Sequence, residues 1–241
     1  MFKPVIVIPF YNHLNGFNKI AKQIFMQSIP VIVVDDGSDK VEKSGVKKIC
    51  DKYNFIFLEN KINGGKGVAV KKAFRYAIQH NFTHALQVDA DGQHNISDIK
   101  EFFLLAKKFP NAIINGCPLY DESVPKARFY GRKITNFWVE IETGFAKIPD
   151  SMCGFRVYPL ANIKKVLPLL SCERMGFDTE ILVKSYLLGA PLYHKMTRVS
   201  YPLDGVSHFH TFRDNCQISF MHVKLCVFAL VNLFKFRRIK W

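Results

Sequence analysis

The chain has 241 residues, 49% hydrophobic and 22% charged, which is enough for one sizeable core and excludes a disordered or fibrous chain. A formal net charge of +14 points to polyanionic company, such as phosphorylated substrates or anionic lipid. The lysines and arginines are spread along the chain without an RNP or zinc-finger pattern, so nucleic acid is not an expected partner. Taken in chain order, short apolar, β-branched runs at residues 5–8, 31–34, 55–58, 85–88 and 112–114 read as strands. Helix-like stretches at 20–27, 41–52, 67–79 and 99–109 separate most of them. Strands of this kind alternating with helices predict βαβ units and a mostly parallel sheet covered on both faces. Further on, 126–143 reads as a helix, 151–158 as a loop or edge strand, 176–188 as a helix and 191–201 as a strand. A long apolar segment, 211–236, runs into the basic cluster Lys235, Arg237, Arg238 and Lys240. No linker is visible, so residues 1–210 are expected to form one domain and 211–241 a helical extension.

The six cysteines have irregular spacing and no C-x-x-C pair, which favours reduced thiols in a cytoplasmic compartment. The N-terminus enters a strand-like run directly, without the pattern of a signal peptide.

In open sheets of this class, ligands bind beyond the carboxyl ends of the strands, so the segments that follow each strand carry the information. Asp89 and Asp91 follow the fourth. If the chain stays extended there, residues two apart face the same way, and both carboxylates reach one hard cation, Mg2+ or Mn2+. Gln93 could add an amide oxygen. Such a cation offsets charge that develops on a departing diphosphate. The plain alternative is an acidic turn with a helix cap. Asp35 and Asp36 close the second strand before Gly37 and Ser38. Paired carboxylates in a crevice suit a nucleobase edge and ribose hydroxyls, and capping by Ser38 or Asp39 is compatible with that.

The run Asn63-Gly64-Gly65-Lys66-Gly67 resembles a phosphate-binding loop at a helix N-terminus. It is not a Walker A motif, because Gly67 follows Lys66, nor a G-x-G-x-x-G fingerprint, because Val70 holds the last position. An ATPase or a dinucleotide-dependent dehydrogenase is thereby disfavoured. Asp178 and Glu180 lie in the first turn of a helix. There they serve either the helix dipole or as a general base toward an acceptor hydroxyl. Arg156, Arg198, His208 and Arg213 are candidate diphosphate partners.

Together Pro9-Phe10-Tyr11-Asn12, Val33-Val34-Asp35-Asp36-Gly37-Ser38, Asn63-Gly64-Gly65-Lys66-Gly67 and Val88-Asp89-Ala90-Asp91-Gly92-Gln93 resemble family 2 glycosyltransferases of the GT-A fold. The likeness is to the dolichol-phosphate-mannose-synthase-like branch. Met152-Cys153-Gly154-Phe155-Arg156 looks like that branch's Ser-Gly-Phe-Arg stretch, with Cys153 for serine. Phe177-Asp178-Thr179-Glu180 looks like its Phe-Glu-Ile-Glu helix start. The resemblance covers about residues 4 to 210. It implies an inverting transfer from a UDP- or GDP-sugar, with a metal on Asp89, Asp91 and Gln93. The donor is implied at Pro9, Tyr11, Asn12, Asp35, Asp36, Gly65, Lys66, Gly67, Asp89, Ala90, Asp91 and Arg156. Asp178 and Glu180 are the implied catalytic pair. His13 stands where the branch usually has an acidic residue, which leaves UDP against GDP open. Residues 151–160, with Gly205-Val206-Ser207-His208-Phe209 and Arg213-Asp214-Asn215, look like the enzymes of bacterial aryl-polyene lipid pathways, so a lipid-linked or polyene acceptor is the first expectation.

Two other readings stay open: a polyprenyl-phosphate sugar synthase, whose acceptor is a phosphate, and a non-catalytic basic module that binds anionic lipid or nucleic acid. Residues 218–234, interrupted by His222, Lys224 and Asn232, are short for a bilayer span. A helix lying in the interface, aided by the basic cluster, is expected to give peripheral contact with the cytoplasmic face of the inner membrane. Packing of that helix on the core is the alternative.

Overall fold

A computed structural model describes residues 1–120, 124, 126–200 and 211–238. The first strands, β1 (Pro4–Phe10), β2 (Val31–Asp36), β3 (Ile56–Asn60) and β4 (His84–Gln87), are mutually parallel. With β5 (Ile113–Tyr120), β6 (Arg156–Pro159) and β7 (Leu192–Val199) they form one sheet in the order β3-β2-β1-β4-β6-β5-β7. β6 is antiparallel to both its neighbours, while β5 and β7 are parallel. The sheet is therefore mostly parallel, as the alternation of strand and helix patterns implies.

Side chains alternate across a strand, and here each side finds its own cover. Val5, Val7, Ile32 and Val34 pack with α3 (Lys66–Gln79), α6 (Leu160–Val166), α7 (Phe177–Leu187) and α8 (Thr211–Arg238). Ile6, Ile8, Phe10, Val31 and Val33 pack with α1 (Leu14–Phe25), α2 (Lys40–Tyr53) and α4 (Ile99–Lys108). The remaining helix, α5 (Lys126–Glu142), joins the first of these layers through Val139.

Two expectations change. The segment around 151–158 is not an edge: β6 lies inside the sheet with all four residues buried. Its polar members survive burial because the Arg156 guanidinium donates to the Tyr158 hydroxyl at 3.1 Å and to the Asn115 side-chain oxygen at 2.6 Å. Helix α1 starts at Leu14 rather than residue 20, although Asn15, Gly16 and Asn18 are weak helix formers. Gly16 is needed for space: a Cβ there would lie 2.7 Å from the Ala90 carbonyl. The C-terminal segment is one continuous helix whose Met221 and Leu225 belong to the same buried cluster as α7, so it is a layer of the fold as well as an extension.

Candidate active site

The register of the parallel strands sets the site. Phe10 pairs with Asp35 and Asp36 with Asn60, so the segments that leave β1, β2 and β3 emerge side by side. Asn12, at φ 49°, links two of them. Its amide donates to the Ser38 hydroxyl at 3.1 Å, and its side-chain oxygen accepts from the Asp39 amide at 3.1 Å. Asp39 caps α2 by accepting from the Val41 and Glu42 amides. Pro9 remains within β1, and Tyr11 is half-buried beside Asn12.

Asp36 accepts from the amides of Gly64 at 3.2 Å and Gly65 at 2.6 Å and from the Asn60 side chain at 2.8 Å. Burial nonetheless leaves its pKa above the ordinary value, the hydrogen bonds only partly offsetting it. The Gly67 amide donates to the Glu173 carbonyl at 2.7 Å. These amides therefore hold the glycine-rich loop to β2 and to the segment before α7, and they do not form a phosphate cradle. The glycines are required by close approach: Gly65 has φ +99°, and a Cβ on Gly67 would lie 2.8 Å from the Cys172 carbonyl. Asp35 is fully buried. One of its oxygens accepts from the Ser38 amide, and the other, 3.7 Å from Lys43, has no hydrogen-bond partner.

The loop delivers Lys66. Its ammonium lies 2.8 and 2.9 Å from the two Asp89 oxygens and 2.6 Å from Asp178 Oδ2. Gln87, on β4, donates to Asp178 Oδ1 at 2.9 Å. His94 Nε2 stands 3.7 Å from Asp89. Gly154 backs the group so closely that a Cβ would lie 2.8 Å from Asp89, Gln87 and Lys66 alike. Burial works against each charge, but the pairing prevails. The carboxylates hold Lys66 above the ordinary lysine value, and Lys66, helped by His94, holds Asp89 well below the carboxylate range. Lys66 and Asp89 keep 21% and 24% of their side-chain surface exposed, so the cluster opens to solvent on one side.

β4 ends at Gln87, and the chain turns at Ala90 and Asp91. An unbroken extended run through Asp91 is thus not what forms; Asp91 Oδ1 accepts from the Gln93 amide at 3.0 Å and shapes the turn. Ala90 is buried under Gly16 of α1, while Asp91 and Gln93 are half-exposed. Among the described residues no group of three or more His, Cys, Asp or Glu side chains could hold a metal. Two carboxylates nevertheless fit Mg2+ or Mn2+, which commonly bind one or two protein carboxylates and complete their shell with water and substrate phosphates.

Two expected site residues have other tasks. Arg156 is fully buried, and its guanidinium donates to Asn115, Tyr158, the Ser151 carbonyl and the Asp178 carbonyl. It braces β5, β6 and α7 from inside and is not presented to a diphosphate. Glu180 is also buried. It accepts from the Ser171 and Cys172 amides, the Ser171 hydroxyl and the Lys184 ammonium, the last at 2.6 Å. Its carboxylate closes the turn before α7 instead of joining Asp178. Arg198 is exposed on β7. His208 and the Arg213 side chain lie outside the described residues.

Residues 5–166 match the family model described as glycosyl transferase family 2. The chain belongs to that family. It is 27% identical over 209 residues to a dolichyl-phosphate beta-glucosyltransferase of Dictyostelium discoideum, a match covering 78% of this chain and 63% of that one. Among solved structures it is similar to glucosyl-3-phosphoglycerate synthase from Mycobacterium tuberculosis in complex with Mn2+, UDP and glucosyl-3-phosphoglycerate. There the TM-score is 0.67 and the identity 10%, over 93% of this chain and 80% of that one. It is also similar to a mannosyltransferase from Pyrobaculum calidifontis in complex with GDP-Man and Mn2+, with a TM-score of 0.63 and 14% identity, over 93% and 64%. At these identities the structural likeness speaks for the GT-A fold alone.

Proposed function

We propose that this chain transfers a sugar from a nucleotide-diphosphate sugar to a lipid phosphate, at the Lys66–Asp89–Asp178 cluster. The observation that carries the reading is that the cluster offers cationic and carboxylate groups to a diphosphate, while both carboxylates expected to serve as a base are already engaged. Asp178 is bound by both Lys66 and Gln87, and Glu180 is enclosed. A phosphate oxygen needs no deprotonation to attack the anomeric carbon. The new carbon–oxygen bond forms as the bond to the diphosphate breaks, with inversion, and the nucleoside diphosphate departs with the electron pair. Relatives described as dolichyl-phosphate beta-glucosyltransferases support the lipid-linked acceptor first expected, and favour a phosphate on it over a polyene.

Asp89 and Asp91, with Gln93 nearby, would hold a divalent cation, which when bound offsets negative charge on the departing diphosphate. Lys66 supplies a second positive charge from the protein itself. Asp35, with one unclaimed buried oxygen, is the group left to receive a ribose or base donor. Neighbours solved with UDP and with GDP-Man are compatible with either nucleotide. We assign the protein to the cytoplasmic face of the membrane, where nucleotide sugars are the donors.

A hydroxyl acceptor is the second reading, favoured by the placement of the Asp178 carboxylate at the cluster itself. The variant Asp178→Asn keeps oxygen and shape but cannot take a proton. With a phosphate acceptor, transfer is expected to stay within about tenfold of the parent, whereas removal of a general base costs roughly 10²–10⁴-fold. Assays with polyprenyl phosphate and with a lipid alcohol, alongside calorimetric titration of UDP- and GDP-sugars with and without Mn2+, decide the matter. Absence of donor binding under all conditions would sink the transferase reading.

A further inference from the structure

Helices α5 and α8 each have an inner and an outer side. On the inner side Val139 of α5 and Met221 and Leu225 of α8 share one buried cluster, and Thr135 and Glu142 of α5 are buried as well. The outer side carries an apolar stripe that faces solvent. On α5 it consists of Ile134, Phe137, Trp138 and Ile141, and on α8 of Phe220, Val223, Val227 and Leu230, all exposed. Spacings of three, four and seven put each set on a single face. Both helices turn their inner sides to the same core, so their outer stripes look away from the same side of the molecule. Two adjacent helices exposing aromatic and branched side chains exceed the scattered surface hydrophobics of an ordinary fold.

Charge identifies what this face meets. Of the described acidic residues on these helices, Glu142 is buried against His222 at 2.7 Å and Asp214 is buried, while Glu140 is exposed. Lys133, Lys147 and Lys224 are exposed around the stripes, and Lys224 lies 4.6 Å over the Phe220 ring. A lysine-fringed face on a chain of net charge +14 disfavours a second copy of itself and suits an anionic bilayer, where apolar side chains enter the headgroup boundary and lysines meet lipid phosphates. Among the described residues no helix is long and apolar enough to cross a membrane; the two outer stripes suit contact along its surface. The face is also coupled to the site. Met221 packs against Gly176, where a Cβ would lie 2.9 Å from its sulfur, and Gly176 begins the turn that carries Asp178.

We infer that α5 and α8 together form a docking surface for an anionic lipid bilayer, α5 contributing as much as the C-terminal helix. The inference gives the proposed lipid-phosphate acceptor a physical route to the site and rests on that reading for its purpose, while its test does not depend on catalysis. The probe is sedimentation with vesicles of phosphatidylcholine alone or mixed equally with phosphatidylglycerol. Trp138 emission is followed in a Trp241→Phe background, which leaves one tryptophan.

The full chain is expected to bind the mixed vesicles with a blue shift of Trp138 and to bind neutral vesicles at least about tenfold more weakly. Ile134→Asp/Phe137→Asp and Val223→Asp/Val227→Asp should each lower binding by about tenfold or more. Leu104→Asp, exposed on α4, should leave it unchanged. Near-ultraviolet circular dichroism verifies that each variant is folded. Binding unaltered by the α5 pair, or a salt-stable dimer that the same substitutions dissolve, would overturn the inference. So would a chain that ignores both vesicles. Calorimetric binding of nucleotide sugar by the same variants is scored separately, so retained vesicle binding without donor binding would count against the transferase reading alone.

Discussion

Lys66 leaves the glycine-rich loop at the first residue of α3 and sets its ammonium between a carboxylate that follows β4 and one that opens α7. It thereby neutralises Asp89, the first of the two carboxylates proposed to hold a divalent cation, and a cation arriving there must compete with it. The variant Lys66→Met removes the competitor and leaves Asp89 and Asp178 facing each other without a positive charge. Mn2+ affinity measured without nucleotide, by calorimetry or electron paramagnetic resonance, is expected to rise by about tenfold or more, since close opposite charges at partly exposed sites are worth on the order of 1–4 kcal/mol. Nucleotide-sugar affinity should fall in the same variant, because the diphosphate loses a cationic partner. Unchanged or weaker Mn2+ binding would show that Asp89 is not a ligand of the metal.

The first turn of α7 shows how one element divides neighbouring carboxylates between two tasks. Asp178 turns to the site, and Glu180 turns to the preceding loop. Burial alone would raise the pKa of Glu180. The bond from Lys184, the Cys172 and Ser171 amides and the Lys184 charge outweigh it and hold the pKa below 4.5. An acid lowered in the folded state stabilises fully above its unfolded value, and that contribution vanishes as pH falls through the folded value. Glu180→Gln should therefore cost about 3 kcal/mol at pH 7, the scale of a broken buried pair. The gap to the parent should narrow between pH 7 and a pH below the folded value, read from urea midpoints. An equal gap at both pH values would mean that the charge is not what holds this turn.

Sequence spacing made the strands legible, along with the segments that end them, because buried parallel strands are continuous apolar runs. It could not separate Asp178 from Glu180, since side-chain direction in a first turn depends on what packs there. Nor could it show that the amides of Gly64, Gly65 and Gly67 bind within the protein. Gln87, His94 and Gly154 were missed as site members. The signal for Gln87 was a polar residue within an apolar strand, and Gly154 had only its place in a family-like stretch. Arg156 was misjudged because an arginine in a motif reads as a phosphate ligand until its burial is known.

At the scale of the molecule, α8 settles how the C-terminal segment relates to the rest. A helix with two apolar stripes gives no clean amphipathic pattern, so its sequence did not distinguish packing on the core from contact with a surface. The fold uses it for the first, and its outer stripe remains for the second. Met221, Leu225 and Ala229 are at most 5% exposed, and His222 pairs with Glu142 beneath Trp138 of α5. A chain ending at residue 210 would lose Met221 and Leu225 from a shared core and remove His222, the partner of Glu142. Stripping one large apolar side chain from a core costs roughly 2–5 kcal/mol, against a total of about 5–15 kcal/mol for a domain. Residues 1–210 are therefore expected to lack a cooperative urea transition and a native near-ultraviolet circular dichroism spectrum. If that truncated chain instead melts cooperatively within a few degrees of the full chain, α8 is a separable appendage. The packing of Met221 on Gly176 would then not be what positions Asp178.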